Sequence, residues 1–488
     1  MGTGIEDLKE ALLFRTQAFL AGEWEDADSG ETFDVRNPAN GTLLASVPKM
    51  GEAETLRAIE SARAAWPLWR SQTAKERGLI LRRWSDLMLE HADDLALILT
   101  AEQGKPLTEA KGEIQYAASF LDWFAEEGKR IYGEVIPSPW PRSRVVVLKE
   151  SVGVCGAITP WNFPAAMITR KVAPALAAGC PIIVKPAEAT PLTALAMAEL
   201  AARAGVPAGV LSVITGDPIA IGNELTSNTT VRKLSFTGST ATGRLLMAQC
   251  ATSIKKLSLE LGGNAPFLVF EDADLDAAVE GAMQSKYRNS GQTCVCANRI
   301  YVQESIYERF GEKLCDAVRK LKVGVGTEAG VTQGPLINES AVRKVESHIA
   351  DAVAKGASIL VGGDRHELGG MFFQPTVLGN VRSDMKIAKE EVFGPVAPLF
   401  CFSSEQDAIQ QANDTEFGLA AYIYTRDLGR VWRVSEGLEY GMVAVNSGIL
   451  STEVAPFGGM KQSGLGREGS HLGIDEYLEV KYILHSGL

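Results

Sequence analysis

Residues 153–188 read GVCGAITPWNFPAAMITRKVAPALAAGCPIIVKPAE. Two short apolar runs, at residues 153–158 and 181–184, enclose an Ala-rich segment of helical length at residues 165–178. The apolar runs are too short to form helices, so they indicate buried strands. The stretch therefore predicts a strand, a helix and a second strand, which is the repeating unit of a parallel sheet.

The same alternation continues to residue 259. Three further apolar runs lie at residues 210–214, 232–236 and 256–259. The helical segments that separate them lie at residues 191–204, 218–225 and 240–250. Five strands with intervening helices predict an α/β fold built on a doubly wound parallel sheet. Sheets of this kind bind ligands beyond the carboxyl ends of their strands.

The turn after each predicted strand is rich in Gly, Pro or polar residues. The five turns lie at residues 160–164, 185–188, 216–218, 237–240 and 260–263. They predict a nucleotide site, although the chain has no P-loop sequence. The loop 238–243 has Gly at its first and sixth positions but lacks the middle Gly of the dinucleotide fingerprint. It is either a tight strand-to-helix turn or a phosphate-binding turn at a helix N-terminus.

The remainder of the chain predicts further elements on both sides of this sheet. In the first third, Ile80, Trp84, Leu87 and Met88 share one face of an amphipathic helix. A second α/β unit begins with a strand at 266–270 and a helix from Asp274, and strand and helix pairs continue to about Asn446. Strands are also predicted at 143–149 and at 477–484. The latter has no obvious partner nearby, and together with 145–148 we expect it to form an arm that pairs with another subunit.

Composition excludes several classes of protein. The 488 residues include 48 basic and 60 acidic side chains, a formal net charge of −12, which disfavours binding to nucleic acid or anionic membranes. Seven Cys without a C-x-x-C pair and five scattered His predict neither a disulfide framework nor a metal site. The N-terminus lacks a secretory signal, and the most apolar stretch, 172–184, is shorter than the ~20 residues that span a bilayer. We therefore expect a soluble cytoplasmic protein.

Three residues near the predicted sheet edge are candidates for chemistry. Cys294 stands in a polar, Gly-containing segment, with no His nearby to act as its base. A thiolate there requires activation by helix N-terminal amides or by a bound cation. Glu260 directly follows a strand and suits a general base, and Asn162 suits an oxyanion donor. A buried structural thiol, a solvated carboxylate and a turn-stabilising amide remain the alternatives.

The motifs that contain these residues resemble those of the aldehyde dehydrogenase superfamily, over essentially the whole chain. The matching stretches are PWNFP (160–164), KPAE (185–188), FTGST (236–240), LELGG (259–263), GQTC (291–294), EVFGP (391–395) and PFGG (456–459). The resemblance implies an NAD(P)-binding domain at 1–128 and 149–261 and a catalytic domain at 262–460. It also implies a small oligomerisation β-arm at 129–148 and 461–488, in a homodimer or homotetramer.

The resemblance also implies a role for each matching residue. Cys294 would be the nucleophile that adds to the aldehyde, Asn162 would hold the alkoxide, hydride would pass to the cofactor, and water deprotonated by Glu260 would release the acid from the thioester. Lys185 and Glu188 would hold the adenosine ribose, Ser239 would contact the pyrophosphate, and Glu391 and Phe393 would meet the nicotinamide ribose and ring. The remaining expected cofactor contacts are Pro160, Trp161, Gly216, Gly238 and Leu261. Because the Glu188 carboxylate would repel a 2′-phosphate, we expect NAD to be preferred, with NADP possible.

Three segments are similar to succinate-semialdehyde dehydrogenases within that superfamily: MITRK (167–171), YRNSGQTCVCANR (287–299) and STEVAPFGG (451–459). Arg170 and Arg288 indicate an anionic substrate, with Ser451 closing the far side of the substrate tunnel. The alternative is that each Arg pairs with a carboxylate such as Glu453. Glutarate semialdehyde or another ω-oxo acid remains an alternative substrate, because one methylene changes discrimination by only about 1–3 kcal/mol.

Three further hypotheses stay open at this point. Cys296, two residues from the nucleophile, is either a small buried residue or a redox partner that captures oxidised Cys294 as a disulfide. The chain is alternatively a non-catalytic member of the superfamily, which the intact Cys294, Glu260 and Asn162 oppose. A thioester hydrolase that uses the same Cys would act without any cofactor.

Overall fold

Five parallel strands form the centre of the first sheet in the computed structural model, which describes residues 5–487. Residues 1–4 and 488, at the ends of the predicted domains, lie outside the described residues. The spatial order of the eight strands in this sheet is Glu23–Glu25, Ala18–Leu20, Leu211–Val213, Ile182–Lys185, Val154–Ile158, Val231–Thr237, Lys256–Glu260 and Gly464–Leu465. Among the five parallel strands, Val154–Ile158 comes first in the chain and lies in the centre. The later strands are added on both sides of it, so the predicted doubly wound sheet is confirmed.

Three short strands at the edges make this sheet mixed rather than purely parallel. Ala18–Leu20 pairs antiparallel with Leu211–Val213 and with Glu23–Glu25. On the opposite edge, Gly464–Leu465 pairs antiparallel with Lys256–Glu260. These strands have two or three residues each, too few to show a period of two in the sequence.

The crossover helices begin and end where local sequence signals place them. They span Ala166–Ala178, Pro191–Ala204, Pro218–Ser227 and Thr240–Cys250. Pro191 and Pro218 occupy first-turn positions, where the missing N–H costs nothing. Gly179 and Gly205 end the first two helices with φ of 89° and 96°, a left-handed conformation that favours Gly.

The N-terminal third is helical, as predicted. Its helices span Glu52–Ser71, Ala74–Glu90, Ala92–Gln103 and Leu107–Glu127, preceded by a hairpin of Thr32–Arg36 and Leu43–Pro48. Trp84 and Met88 are buried, whereas Ile80 and Leu87 are partly buried and pack against the same core. None of the helices within residues 5–487 has the length and apolar character needed to cross a bilayer.

A second sheet of seven strands confirms the second α/β unit. Its spatial order is Ser358–Val361, Thr376–Gly379, Val396–Phe402, Ala297–Gln303, Ala265–Val269, Ala420–Tyr424 and Met442–Val445. Only Ser358–Val361, at one edge, is antiparallel to its neighbour. The accompanying helices are Leu275–Lys286, Tyr307–Val318, Glu339–Ala354, Lys386–Lys389, Glu405–Asn413 and Leu428–Gly437. Phe417–Gly418 and Met460–Lys461 form a separate two-stranded antiparallel ribbon. In the chain, Phe417–Gly418 directly precedes the strand Ala420–Tyr424 of the second sheet.

The C-terminal strand has a partner within the same chain. Leu478–Ser486 pairs antiparallel with Ser143–Ser151 along nine residues, and Glu134–Ile136 completes a three-stranded sheet. Its partner lies more than 300 residues away in sequence and is the strand with which it is grouped in the predicted arm, whereas contact of this arm with another subunit stays a prediction. A short helix, Leu472–Asp475, precedes it. Since Ser143–Ser151 continues past 148 and Gly464–Leu465 joins the first sheet, the proposed limits of the arm do not coincide with its strands.

Candidate active site

Two cavities meet at Cys294. The smaller has a volume of about 310 Å³ and the larger about 470 Å³. Cys294 and Met167 are the two residues that line both. The larger cavity follows the carboxyl end of the first sheet, and the smaller lies between the helices Leu107–Glu127 and Ala166–Ala178 and the Cys294 loop. A ligand in each cavity would thus reach the thiol from a different side.

A tight backbone turn places Cys294 at this junction. Asn289 and Ser290 both have left-handed backbone conformations, with φ of 51° and 53°. Gly291 follows with φ of 76°, and a Cβ there would lie 2.1 Å from the Gly394 carbonyl oxygen. Only Gly fits this approach, so the GQT sequence before Cys294 packs the catalytic loop against residues 394–395. Such strained conformations concentrate at functional sites.

The surroundings of Cys294 raise the pKa of its thiol. Burial raises its pKa to about 12, and the charges of Glu391 and Glu260 act in the same direction, while Arg170 opposes them. A thiol in this state is a poor nucleophile. Activation of this thiol by helix N-terminal amides or by a bound cation stays a prediction.

The Asn162 loop is held from beneath by a buried ion pair. Lys105 Nζ lies 2.6 Å from Glu113 Oε2 and donates to the Asn162 carbonyl oxygen at 2.8 Å. Glu113 also accepts hydrogen bonds from the backbone N–H groups of Ala165 and Ala166, where the next helix begins. Since both ends of the loop are fixed by one pair, its backbone is pre-organised.

The Asn162 side chain points toward the Cys294 loop. Its Nδ2 donates to the Gln292 carbonyl oxygen at 3.0 Å, and it lines the larger cavity. This is the single hydrogen bond that the Nδ2 group makes within residues 5–487. The second N–H remains for another acceptor, as an oxyanion donor requires.

Glu260 lies behind the cavity walls rather than on them. It ends the strand Lys256–Glu260, is buried, and its Oε2 has no hydrogen-bond partner within residues 5–487. Burial, followed by the charge of Glu468, raises the pKa of Glu260 well above its usual range, although Arg170 and Lys171 oppose this. A carboxyl group in this state suits proton transfer near neutral pH.

Glu468 is the centre of a charged cluster that the sequence did not reveal. Its carboxylate lies 2.7 Å from Arg170 Nε and 2.6 Å from Lys171 Nζ, and all three side chains are buried. Lys171 Nζ also donates to the Thr237 hydroxyl at 2.5 Å. The pairing partner of Arg170 is thus Glu468 and not Glu453, which instead accepts from Ser119 at 3.3 Å.

The predicted substrate residues are brought together. Arg170, Arg288 and Ser451 all line the smaller cavity. The Arg170 guanidinium carbon lies 3.8 Å from the centre of the Phe457 ring, and that of Arg288 lies 5.3 Å from the centre of the Phe163 ring. Unlike Arg170, Arg288 forms no ion pair with any acidic side chain within residues 5–487.

Most of the predicted cofactor residues line the larger cavity. They are Pro160, Trp161, Gly238, Ser239, Leu261, Glu391 and Phe393. Ser239 caps the helix Thr240–Cys250 by accepting from the Thr242 N–H at 3.2 Å, so a helix N-terminus opens into this cavity. Backbone N–H groups at such an end bind phosphate oxygens.

Two aromatic rings and a carboxylate form the inner end of the larger cavity. The rings of Trp161 and Phe393 pack edge to face, with centroids 5.5 Å apart. Phe393 has a φ of 55°, which is unusual for an aromatic residue. Glu391 accepts from the Gly263 N–H at 3.1 Å, and burial raises its pKa to about 7. This arrangement fits the nicotinamide and ribose half of a dinucleotide, with hydroxyl groups as hydrogen-bond donors to the carboxylate.

The other three predicted cofactor residues lie outside the larger cavity. Lys185 is buried and pairs with Glu188, whose side chain is 45 % exposed. Gly216 has a φ of 140°, and a Cβ there would lie 2.1 Å from the Met50 carbonyl oxygen. Backbone packing against Met50 therefore explains the Gly at this position without any ligand.

Cys296 faces away from the junction. Its buried thiol contacts the Lys286 carbonyl oxygen at 3.7 Å, and it lines neither cavity. A disulfide with Cys294 would require the Cys296 side chain to turn, and this hypothesis stays a prediction. Within residues 5–487, His, Cys, Asp and Glu side chains form no group of three suited to a metal ion.

Several residues of the site were not predicted. Lys105, Glu113, Tyr116 and Glu468 surround the smaller cavity or support its loops, and Lys344 lines the larger one from the helix Glu339–Ala354. None belongs to a sequence pattern that indicates chemistry. The sequence feature closest to this charged cluster is Lys171 in the segment MITRK, and a Lys in a sequence does not indicate which carboxylate it pairs with.

Comparison with known proteins agrees with this geometry. The model of the aldehyde dehydrogenase family matches residues 24–483. A succinate-semialdehyde dehydrogenase of Escherichia coli (strain K12), whose name specifies NADP(+), is 66 % identical over 476 residues, which cover 98 % of this chain and 99 % of that protein. A glutarate-semialdehyde dehydrogenase of Pseudomonas aeruginosa is 64 % identical over 481 residues, covering 99 % and 100 %.

A solved structure shows the same similarity in three dimensions. The succinate-semialdehyde dehydrogenase from Burkholderia pseudomallei is 69 % identical and superimposes with a TM-score of 0.98, covering 98 % of this chain and all of that one. Sequence and fold thus agree over nearly the full length. The chain belongs to the aldehyde dehydrogenase family.

Proposed function

We propose that this enzyme oxidises succinate semialdehyde to succinate with NAD(P), and that glutarate semialdehyde is its alternative substrate. The observation that carries the proposal is the position of Cys294 at the meeting point of two cavities, one lined by Arg170 and Arg288. The cavity also contains Glu109 and Glu113, but Glu113 is paired with Lys105, so the two guanidinium groups favour an aldehyde that carries an anion. The names of the relatives from Escherichia coli and Pseudomonas aeruginosa support both substrates.

The residues would act in sequence around the aldehyde carbon. The Cys294 thiol gives its proton to water, and the thiolate adds to the carbonyl carbon. The free N–H of Asn162 donates a hydrogen bond to the resulting alkoxide. Trp161, Glu391 and Phe393 would hold NAD(P) in the larger cavity, where it would supply a hydride acceptor, and loss of hydride from this carbon leaves a thioester on Cys294. Glu260 then takes a proton from water, which releases the acid and restores the thiol.

The substrate carboxylate would lie against the guanidinium groups in the smaller cavity. Arg170 offers Nη2, which is buried without a hydrogen-bond partner within the described residues, because Glu468 holds its Nε side. The Arg288 guanidinium group lines the same cavity and forms no ion pair within the described residues, so its N–H groups can donate to the carboxylate. A carboxylate that binds these groups receives charge-assisted hydrogen bonds.

The preference for NAD is proposed from Glu188. Its half-exposed carboxylate follows the strand Ile182–Lys185 at the sheet edge where a dinucleotide binds, and it would meet a 2′-phosphate with a like charge. The Lys185 ammonium group pairs with this carboxylate and weakens the repulsion, and the name of the Escherichia coli relative points to NADP(+). The ratio of kcat/KM for the two cofactors decides between them.

The arm and the domain limits belong to the same proposal. Ile136, Val480 and Tyr482 lie on one face of the three-stranded sheet and are 42 %, 67 % and 58 % exposed. Apolar side chains exposed together on one small sheet favour contact with another copy of the chain. We therefore propose a homodimer or homotetramer in which 129–148 and 461–488 form the arm. We also propose that 1–128 and 149–261 bind the cofactor and that 262–460 carries the nucleophile. Light scattering coupled to size-exclusion chromatography measures the oligomeric state.

A steady-state panel tests the activity. Succinate semialdehyde, glutarate semialdehyde and butanal are each assayed with NAD and NADP by absorbance at 340 nm. We expect kcat/KM for either anionic aldehyde to exceed that for butanal at least tenfold. Equal values for all three aldehydes would contradict the anion assignment. Hydrolysis of a thioester without cofactor, together with no oxidation of any aldehyde, would indicate a hydrolase instead.

A further inference from the structure

One hydroxyl group in the smaller cavity has no hydrogen-bond partner. Tyr116 lines this cavity, and its buried Oη makes no hydrogen bond within residues 5–487. Arg170 Nη2, in the same cavity, is also buried without a partner there. Buried polar groups in native proteins are nearly always paired, so two orphaned donors in one cavity indicate an acceptor that the chain itself does not supply.

The acidic side chains that share the cavity do not serve these donors. Glu113 is engaged by Lys105 and by the backbone N–H groups of Ala165 and Ala166. Glu109 accepts from the Asn289 N–H at 2.8 Å. Neither carboxylate accepts a hydrogen bond from the Tyr116 hydroxyl or from Arg170 Nη2, so these two donors remain for a ligand. An anion is the chemistry that such a lining recognises.

Packing fixes the direction of the Tyr116 ring. Tyr116 lies on the helix Leu107–Glu127, one turn after Glu113 and one turn before Phe120. Its ring packs edge to face on that of Phe120, with centroids 5.0 Å apart and an interplanar angle of 74°. The Arg170 guanidinium carbon lies 5.8 Å from the centre of the same Phe120 ring. The packing on Phe120 thus holds the Tyr116 ring in the cavity that Arg170 and Arg288 also line.

We propose that the Tyr116 hydroxyl donates a hydrogen bond to the substrate carboxylate and so determines specificity together with Arg170 and Arg288. This inference rests on the proposed oxidation of an ω-oxo acid. It adds Tyr116, which lies outside the sequence motifs, to the residues that contact the substrate. The two guanidinium groups supply the charge that attracts the carboxylate. The hydroxyl supplies a directional bond that a neutral aldehyde cannot use.

Tyr116→Phe isolates this bond, because the ring and its packing on Phe120 remain. The measured quantity is the ratio of kcat/KM for succinate semialdehyde to kcat/KM for butanal. We expect the ratio to fall about tenfold, which corresponds to about 1.4 kcal/mol. Tyr307→Phe is the matched control, since the Tyr307 hydroxyl bonds to the Leu399 carbonyl and Asn380 N–H away from both cavities. The ratio in this control should equal that of the native enzyme.

Two further measurements separate specificity from structure. Succinate, tested as an inhibitor of butanal oxidation, should bind Tyr116→Phe about tenfold more weakly than the native enzyme. The thermal midpoint should be unchanged or higher, because the variant removes a buried hydroxyl that has no partner. A lower midpoint with an unchanged ratio and unchanged succinate inhibition would overturn the inference and make Tyr116 a structural residue.

The preference of the native enzyme for succinate semialdehyde over butanal distinguishes the failure of one proposal from the failure of the other. If the native enzyme shows no preference for succinate semialdehyde over butanal, the proposed function fails before Tyr116 is considered. If it shows that preference and Tyr116→Phe retains it in full, only the inference about Tyr116 fails.

Discussion

Arg288→Ala removes the one guanidinium group of the smaller cavity that no acidic side chain within residues 5–487 engages. The substitution breaks no ion pair within residues 5–487, and the loss of the Arg288 charge, which opposes the burial that raises the pKa of Glu109, affects anionic and neutral aldehydes alike. The difference between the two kinds of aldehyde is therefore the free energy of the substrate contact. One charge-assisted contact contributes about 1.5–3 kcal/mol, which predicts a fall in kcat/KM for succinate semialdehyde of about 10- to 150-fold. The fall should appear mainly in KM, because the contact forms in the ground state as well as in the transition state.

Absorbance at 340 nm with succinate semialdehyde and with butanal measures this effect. Butanal has no carboxylate, so its kcat/KM should change by less than about threefold. Arg319→Ala is the control for loss of one positive charge, because Arg319 pairs only with Asp316 on the surface. If Arg288→Ala impairs both aldehydes equally, the reasoning is refuted and Arg288 supports the Cys294 loop rather than the substrate.

Arg170→Ala should behave differently because Arg170 has two tasks. It faces the smaller cavity and also pairs with the buried carboxylate of Glu468. Removing one partner of a buried ion pair costs about 3–5 kcal/mol, and Lys171, which still pairs with Glu468, reduces this loss. We therefore expect Arg170→Ala to lower both the thermal midpoint and the selectivity, whereas Arg288→Ala lowers the selectivity alone.

Four other predictions concern the nucleophile, the base, the cofactor and the second thiol. Alkylation of Cys294 by iodoacetamide should be slow at pH 7 and still accelerate above pH 9, because its raised pKa keeps the thiol protonated, and a plateau below pH 9 would contradict this. Glu260→Gln should give a burst of about one reduced cofactor per active site followed by slow turnover; complete loss of the burst would place Glu260 in an earlier step. Glu188→Ser should raise the use of NADP relative to NAD about tenfold, unless the native enzyme already prefers NADP. Inactivation by peroxide should be reversed by dithiothreitol in the native enzyme but not in Cys296→Ala, and identical behaviour of the two would exclude a disulfide.

The regular part of the fold was predictable because its signals are local. The helices Pro191–Ala204 and Thr240–Cys250 have the predicted limits, since a first-turn Pro and a Ser cap mark their starts. The five central strands lie within two residues of their predicted limits, because each is a short apolar run between polar turns. The edge strands and the pairing of Leu478–Ser486 with Ser143–Ser151 depend on residues far apart in sequence, which no local pattern reveals.

The candidate site was predictable only in part, for a related reason. Cys294, Asn162 and Glu260 follow predicted strands or belong to distinctive motifs, so the sequence indicates them. Glu468 lies nearly 300 residues after Lys171, and only the folded chain brings the two charges to 2.6 Å. The orphaned hydroxyl of Tyr116 is likewise invisible in sequence, because the absence of a partner is a property of three-dimensional packing.

The two cavities share only Cys294 and Met167 among their lining residues, and this separation bears on how such an enzyme changes over evolutionary time. Apart from Glu113, which holds the Asn162 loop through Lys105, a substitution in the wall of the smaller cavity that spares Cys294 and Met167 replaces no side chain that lines the larger one. Recognition of a new aldehyde can then arise step by step while the hydride acceptor binds as before. The oxidation reaction can therefore stay the same while the substrate range changes through the few residues that line the smaller cavity.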